Sequence, residues 1–193
     1  MIRRLYDWTL RLAGRRDAMA LLAIIAFLES SIFPIPPDVM ILPMVLAAPQ
    51  NAWKIATIAT VASVLGGIAG YAIGLFMFDT FGLPLLEIYG YADKFSEFQA
   101  MYSDWGAWIV FGAGLTPFPF KVITIASGAV ALDPLVFTVA AVLSRGLRFY
   151  LEATLLWKFG PPIRTFVEKR LGLVVTVAFV LLVSGFAAIR FIG

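Results

Sequence analysis

The chain has 193 residues, of which 61% are hydrophobic and only 14% are charged, and it contains no His and no Cys. A soluble globular domain carries about 45–50% apolar and about 25% charged residues, so this composition indicates an all-α integral membrane protein. The two missing residue types exclude disulfides, zinc sites built from His or Cys, Cys nucleophiles and His general bases.

The charges are segregated along the chain. Residues 1–17 and 158–170 each carry a net charge of +3, whereas residues 79–104 carry −4. Because basic loops stay in the cytoplasm, this pattern predicts a cytoplasmic N-terminus and an outer position for 79–104 and the C-terminus. The expected location is the bacterial cytoplasmic (inner) membrane, crossed several times.

Residues 1–17 alternate apolar and basic positions at helical spacing, which predicts an amphipathic helix in the headgroup layer. A basic leader that only sets the topology is the alternative. Further along, residues 55–78 and 171–189 are apolar and long enough to span a bilayer. Residues 134–157 have the length too, but they include three charged residues: Arg145, Arg148 and Glu152.

Two further apolar regions are each interrupted by a Pro-x-Pro. The first runs over 18–33 and 39–48, and the second over 105–116 and 122–132. Proline stops a helix, and an interrupted helix inside a bilayer must be buried in protein or line a cavity. Each region therefore predicts a re-entrant hairpin, with four prolines at the tips: Pro34, Pro36, Pro117 and Pro119.

The two hairpins have the pattern Pro-x-Pro-x-charge in common, at an offset of 83 residues. Each is followed by a spanning segment, which predicts an inverted repeat with a site where the tips meet. The predicted organisation is an interfacial helix at 1–17, a transport domain at 18–170 and a C-terminal spanning helix at 171–193. Repeat 1 covers about 18–85 and repeat 2 about 105–165.

The candidate site consists of the ionisable residues within apolar segments: Glu29, Asp38, Lys121, Arg145, Arg148 and Glu152. Charge at such depth is costly and usually faces a cavity. The last three lie on one helical face, and two guanidinium groups beside a cavity predict lipid-phosphate binding, with Lys121 as a further cation. An Arg148–Glu152 pair that only holds helices together is the alternative.

Glu29 and Asp38 flank the first tip. A carboxylate in a medium of low dielectric can take up and release a proton, which predicts a proton or charge-coupling role for both. Alternatively, Asp38 caps the helix that follows it. Asp38 and Lys121 occupy equivalent positions in the repeat and are expected to pair if the tips meet.

Glycines at Gly66, Gly70 and Gly74 recur every four residues, a pattern typical of close helix–helix packing. A family resemblance extends over the first tip, the glycine-containing helix and the second hairpin. The residues that show it are Glu29, Pro34, Pro36, Asp38, Gly66, Gly67, Gly70, Tyr71, Gly74, 114–121, Ala126, Ser127 and Gly128. On them the sequence resembles the DedA superfamily, whose members contain the SNARE-associated or VTT domain, and most closely its small YqaA-type branch. The resemblance covers residues 18–168.

The resemblance implies two opposed re-entrant hairpins and movement of lipids between leaflets, such as undecaprenyl phosphate or a phospholipid. One departure is that better-known members have Arg on both sides of the second hairpin proline, where this chain has Gly114 and Lys121. Arg145 and Arg148 are expected to replace those arginines.

We therefore expect a flippase-like or scramblase-like transporter of a phosphate-bearing lipid, with or without proton coupling. It is not expected to be an enzyme, since the chain has no His and no Asp-x-Asp metal motif. We expect no metal, no cofactor and no nucleic-acid partner, and self-association stays open. A membrane protein that maintains the envelope without a substrate is the alternative, and an ion channel is a weaker one.

Overall fold

The structure, a computed structural model, describes residues 17–33, 35–78, 80, 84, 92–116, 118–160 and 162. Within these ranges the chain is helical and contains no strand, as the composition predicts. Three predicted features lie outside the described residues: the interfacial helix up to residue 16, the tip prolines Pro34 and Pro117, and the C-terminal helix at 171–193.

Six α-helices form the described part of the chain. They are α1 (Ala18–Ser31), α2 (Asp38–Ala47), α3 (Ala52–Met77), α4 (Ala92–Leu115), α5 (Phe120–Ala129) and α6 (Pro134–Gly160). The prolines explain several boundaries, since Pro37 precedes α2, Pro119 precedes α5 and Pro134 begins α6. A short 3-10 turn, Pro49–Asn51, leads into α3.

Two helical segments are long and apolar enough to cross a membrane: Pro49–Met77, which is the 3-10 turn with α3, and α6. They contain 29 and 27 residues. They run antiparallel, because Trp53 near the start of α3 contacts Trp157 near the end of α6, while Tyr71 contacts Phe137. This pair of helices is the scaffold on which the short helices pack.

The hydrophobic core has two parts, one for each group of short helices. The first part joins α1 and α2 to the first half of α3 and the second half of α6, and its main buried residues are Leu22, Met40, Ile41, Val45, Ile55, Ala59, Phe149 and Ala153. The second joins α4 and α5 to the other halves of α3 and α6 through Tyr71, Tyr102, Val110, Phe120, Phe137 and Ala141. The two parts lie on either side of the middle of both long helices.

The offset of 83 residues extends to the helix boundaries. It places α2 on residues 121–130 and α3 on residues 135–160, within one residue of the observed bounds of α5 and α6. It places α1 on residues 101–114, inside α4. The two halves of the described chain therefore have the same order of core helices, and α2 and α3 match α5 and α6 in length to within one residue.

The glycine face of α3 makes the close helix contacts that its spacing predicts. A Cβ atom at Gly66 would collide with the backbone carbonyl of Phe27 in α1, and one at Gly74 would collide with the carbonyl of Ile125 in α5. Gly70 lies between them, against the side chain of Thr124. The face therefore brings α1 and α5 to one side of α3, backbone against backbone.

Replacing Gly66 with Ala should destabilise the fold. The added methyl group meets the backbone of α1, which cannot yield without moving a helix, so the expected cost is about 1–3 kcal/mol. The measurement is the midpoint of thermal unfolding in detergent. Gly112→Ala is the matched control, because a Cβ there meets nothing within 4 Å and Ala is favoured over Gly in a helix. Equal midpoints for the two variants would contradict the backbone contact.

Candidate functional site

A polar layer separates the two parts of the hydrophobic core. It contains buried side chains from α1, α3 and α6: Glu29, Ser30, Ser63, Ser144 and Arg145. Ser63 and Arg145 both lie 11 residues after the first residue of their helix. The polar layer is therefore at the midpoint of both long helices.

A buried ion pair forms the middle of this layer. Arg145 donates from Nη2 to Oε2 of Glu29 at 2.9 Å and from Nε to Oγ of Ser63 at 2.7 Å. Ser30 donates to the same carboxylate at 3.1 Å, and the backbone N–H of Phe120 donates to Oε1 at 3.3 Å. Both charged groups have several hydrogen-bond partners, and these bonds compensate for the hydration that the groups lose on burial.

Aromatic rings enclose the guanidinium group of Arg145. Its Cζ lies 4.9 Å from the ring centroid of Phe120 and 4.6 Å from that of Phe149. The residue is only 2% exposed. Arg145 is thus held by a carboxylate, a hydroxyl and two rings, and it links α6 to α1, α3 and α5.

Arg148 connects the chain segments beside both tips. It donates from Nη2 to Oδ1 of Asp38 at 2.9 Å and from Nη1 to the carbonyl of Thr116 at 2.6 Å. Asp38 is the first residue of α2, and Thr116 follows the last residue of α4. The side chains of Arg148 and Asp38 are 19% and 35% exposed, so this pair is more accessible than the first.

Lys121 makes a second link between the chain segments beside the two Pro-x-Pro sequences. Its Nζ donates to the backbone carbonyl of Ile32, at the end of α1, at 3.2 Å. This contact stabilises a free helix-terminal carbonyl and places positive charge at the negative end of the helix dipole. The expected Asp38–Lys121 pair is not formed among the described residues, because Asp38 binds Arg148 instead.

Glu152 lies beside Asp38, and it forms no ion pair with any residue that the structure describes. Its Oε2 atom is buried and has no hydrogen-bond partner within the described part of the chain. Asp38, Arg148 and Arg145 are the charged groups around it. The guanidinium of Arg148 contacts Asp38 rather than Glu152, so the structure does not form the Arg148–Glu152 pair that the spacing had suggested.

The structure thus brings the six predicted site residues towards one region, but it pairs them differently from their sequence spacing. Glu29 neutralises Arg145 and Asp38 neutralises Arg148, so the two arginines are not an unpaired positive site. Ser63 and Ser30, which donate to or accept from the central ion pair, were not predicted from the sequence. Ser63 precedes Gly66 by three residues and so lies on the glycine face of α3. This spacing was the sequence feature that could have identified it.

An apolar groove of about 540 Å³ runs between α4 and α6. Its walls include Trp108 and Phe111 of α4 and Leu135, Val139 and Leu143 of α6. The next turns of the same two helices are joined by the bond from Arg148 to Thr116. One end of the groove is therefore directed towards the Arg148–Asp38 pair.

These observations define an all-helical protein with two candidate membrane-spanning helices and a charged centre between them. The chain is 38% identical over 168 residues to an uncharacterized protein of Haemophilus influenzae, covering 85% of this chain and 87% of that protein. It has the same identity and coverage with an uncharacterized protein of Histophilus somni. The chain belongs to the family of these two proteins. No family model and no solved structure matches it.

Replacing Arg145 with Gln should destabilise the protein, because it leaves the buried carboxylate of Glu29 without its cation. The expected cost is about 3–5 kcal/mol. The double variant Glu29→Gln, Arg145→Gln should recover much of this loss, since neither charge then remains. Thermal unfolding and membrane expression of the single and double variants are the measurements. A single variant as stable as the natural protein would show that the pair does not hold the helices together.

Proposed function

We propose that the protein is a multi-pass protein of the bacterial cytoplasmic membrane that moves a phosphate-bearing lipid between leaflets. In this proposal α3 and α6 span the bilayer, and α1–α2 and α4–α5 are re-entrant hairpins entering from opposite sides as an inverted repeat. The N-terminus is cytoplasmic and the C-terminus lies outside. The protein is a member of the DedA superfamily, as its motifs suggest.

The lengths of the two return helices support the hairpins. α2 and α5 have 10 residues each, which corresponds to about 15 Å, or half of a hydrocarbon core of about 30 Å. The bonds from Lys121 to Ile32 and from Arg148 to Thr116 bring together the segments beside the two tips. Opposed half-membrane hairpins that meet in this way are typical of transporters with inverted repeats.

The observation that carries transport is the charged centre at the midpoint of two apolar helices. Eleven residues of helix cover about 17 Å, so in a bilayer Ser63 and Arg145 would lie close to the midplane. Ionisable groups at this depth are costly and mark the paths of substrates and ions. An envelope protein without a substrate could use the Glu29–Arg145 pair to hold its helices together. It would not need the other ionisable residues of the centre.

The Arg148–Asp38 pair and the groove together support a lipid as the substrate. Arg148 has a planar fork of donors that suits phosphate, and its pair is partly exposed. The groove is lined by apolar side chains and is directed towards that pair, as an acyl or prenyl chain would require. In this arrangement the headgroup phosphate competes with Asp38 for Arg148, and Lys121 adds positive charge nearby.

The topology can be tested with single cysteines, because the natural chain has none. Gln50 precedes α3 and Ser103 lies on α4, and both are exposed. The proposed orientation expects Gln50→Cys to react with an impermeant thiol reagent only after the cytoplasmic side is opened, and Ser103→Cys to react in intact cells. The reverse result, or reaction of both positions from one side, would overturn the orientation.

Replacing Arg148 with Gln should reduce lipid transport tenfold or more, because a charge-assisted contact is worth about 1.5–3 kcal/mol. Arg148→Lys should retain only part of the lipid transport of the natural protein, since Lys lacks the planar fork of donors. The measurement is the movement of a headgroup-labelled phospholipid, and separately of a polyprenyl phosphate, in vesicles containing the purified protein.

Lys158→Gln is the matched control, because this residue lies on the same helix and is exposed. Thermal unfolding of each variant separates loss of transport from loss of the fold. Full transport of both lipids by folded Arg148→Gln protein would refute the phosphate site. No transport by the natural protein would refute the function itself.

A further inference from the structure

Among the three carboxylates at the charged centre, Glu152 differs from the other two. Glu29 is paired with Arg145, and Asp38 is paired with Arg148, with a nitrogen–oxygen distance of 2.9 Å in each ion pair. Glu152 has no ion pair within the described residues, and its Oε2 is a buried acceptor without a donor. Native proteins rarely leave a buried polar atom unsatisfied, so this atom requires an explanation.

The charges around Glu152 do not balance when all carboxylates are ionised. Arg145 and Glu29 cancel, and Arg148 and Asp38 cancel, which leaves Glu152 as one unneutralised negative charge. Lys121 keeps its positive charge, but it donates to the carbonyl of Ile32 in an exposed contact and is not among the charged groups around Glu152. An uncompensated charge removed from water is very unfavourable, and one bound proton would remove it.

We propose that Glu152 and Asp38 form a proton-binding site in which the two carboxyl groups share one proton. The proton is carried by Glu152, whose carboxylic acid donates to the carboxylate of Asp38, and Asp38 continues to accept from Arg148. The groups that face Glu152 are Asp38 from α2 and Arg148 and Arg145 from its own helix. Glu29 and Asp38 were predicted from the sequence to couple a proton; here Glu152 takes the place of Glu29, which is paired with Arg145.

The site also predicts whether the proton and the lipid phosphate move in the same direction or in opposite directions. This prediction rests on the proposed lipid transport. A phosphate bound to Arg148 adds negative charge beside Asp38 and Glu152 and therefore favours retention of the proton. By linkage, the bound proton favours phosphate to the same extent. The anionic headgroup and the proton are then expected to move together, as in a symporter, with Glu152 taking its proton from the water on the entry side.

Infrared spectroscopy of the purified protein in vesicles without substrate tests the proton directly. We expect the carbonyl stretch of a protonated carboxylic acid at neutral pH, with a shift when the protein is exchanged into heavy water. Labelling the carboxyl groups of all glutamates with ¹³C should shift this band, whereas labelling aspartates should leave it in place. These measurements use the natural chain and do not depend on a variant that folds.

Two variants sharpen the test. The band should disappear in Glu152→Gln, and also in Asp38→Asn, because Arg148 then neutralises an ionised Glu152. Asp104→Asn is the control, since this exposed carboxylate on α4 should leave the band unchanged.

A natural protein without the band, or a band that persists in Glu152→Gln, would overturn the proposal. So would a band that appears only when sodium ions are removed, because a metal cation would then occupy the site. A band that behaves as expected in a protein without lipid transport would leave the proton site standing and refute the transport function alone.

Discussion

The buried ion pair between Glu29 and Arg145 is the interaction on which the remaining structure depends. Two charges removed from water are stable only when their mutual attraction and their hydrogen bonds compensate for the lost hydration. Here the compensation comes from four helices, through Ser30, Ser63 and the N–H of Phe120. The pair therefore fixes the end of α1 and the start of α5 against the middle of α3 and α6.

The sequence was sufficient to predict the local structure, but the partners of the charged residues could not be predicted. Proline and glycine act on the backbone within a few residues, so the breaks at the described prolines Pro36 and Pro119 and the close packing at Gly66 followed from spacing alone. Arg145 binds a carboxylate 116 residues away. Helical spacing placed it on a face with Arg148 and Glu152, but the neighbours that decide the pairing come from other helices.

The two halves of the chain are alike in helices and unlike in charge. The offset of 83 residues that relates the helix boundaries places Arg145, Arg148 and Glu152 on Ala62, Leu65 and Ala69. The first long helix therefore has apolar residues where the second has its ionisable ones, although both support the same arrangement of short helices. The ionisable side chains that the two long helices contribute to the charged centre therefore come from α6 alone, and two of them, Arg145 and Arg148, bind carboxylates of the first half, Glu29 and Asp38.

The glycine contacts of α3 have a mechanical consequence. Where Gly66 meets the carbonyl of Phe27, Gly74 meets that of Ile125 and Gly128 meets that of Tyr71, no side chain lies between the backbones to take up a displacement. A tilt or rotation at such a contact would force two main chains into overlap, because packed interiors do not deform continuously. α1, α3 and α5 consequently behave as one rigid body. Any change of shape in the described part of the chain must occur at its side-chain contacts with α2, α4 and α6, and the last of these helices carries both arginines.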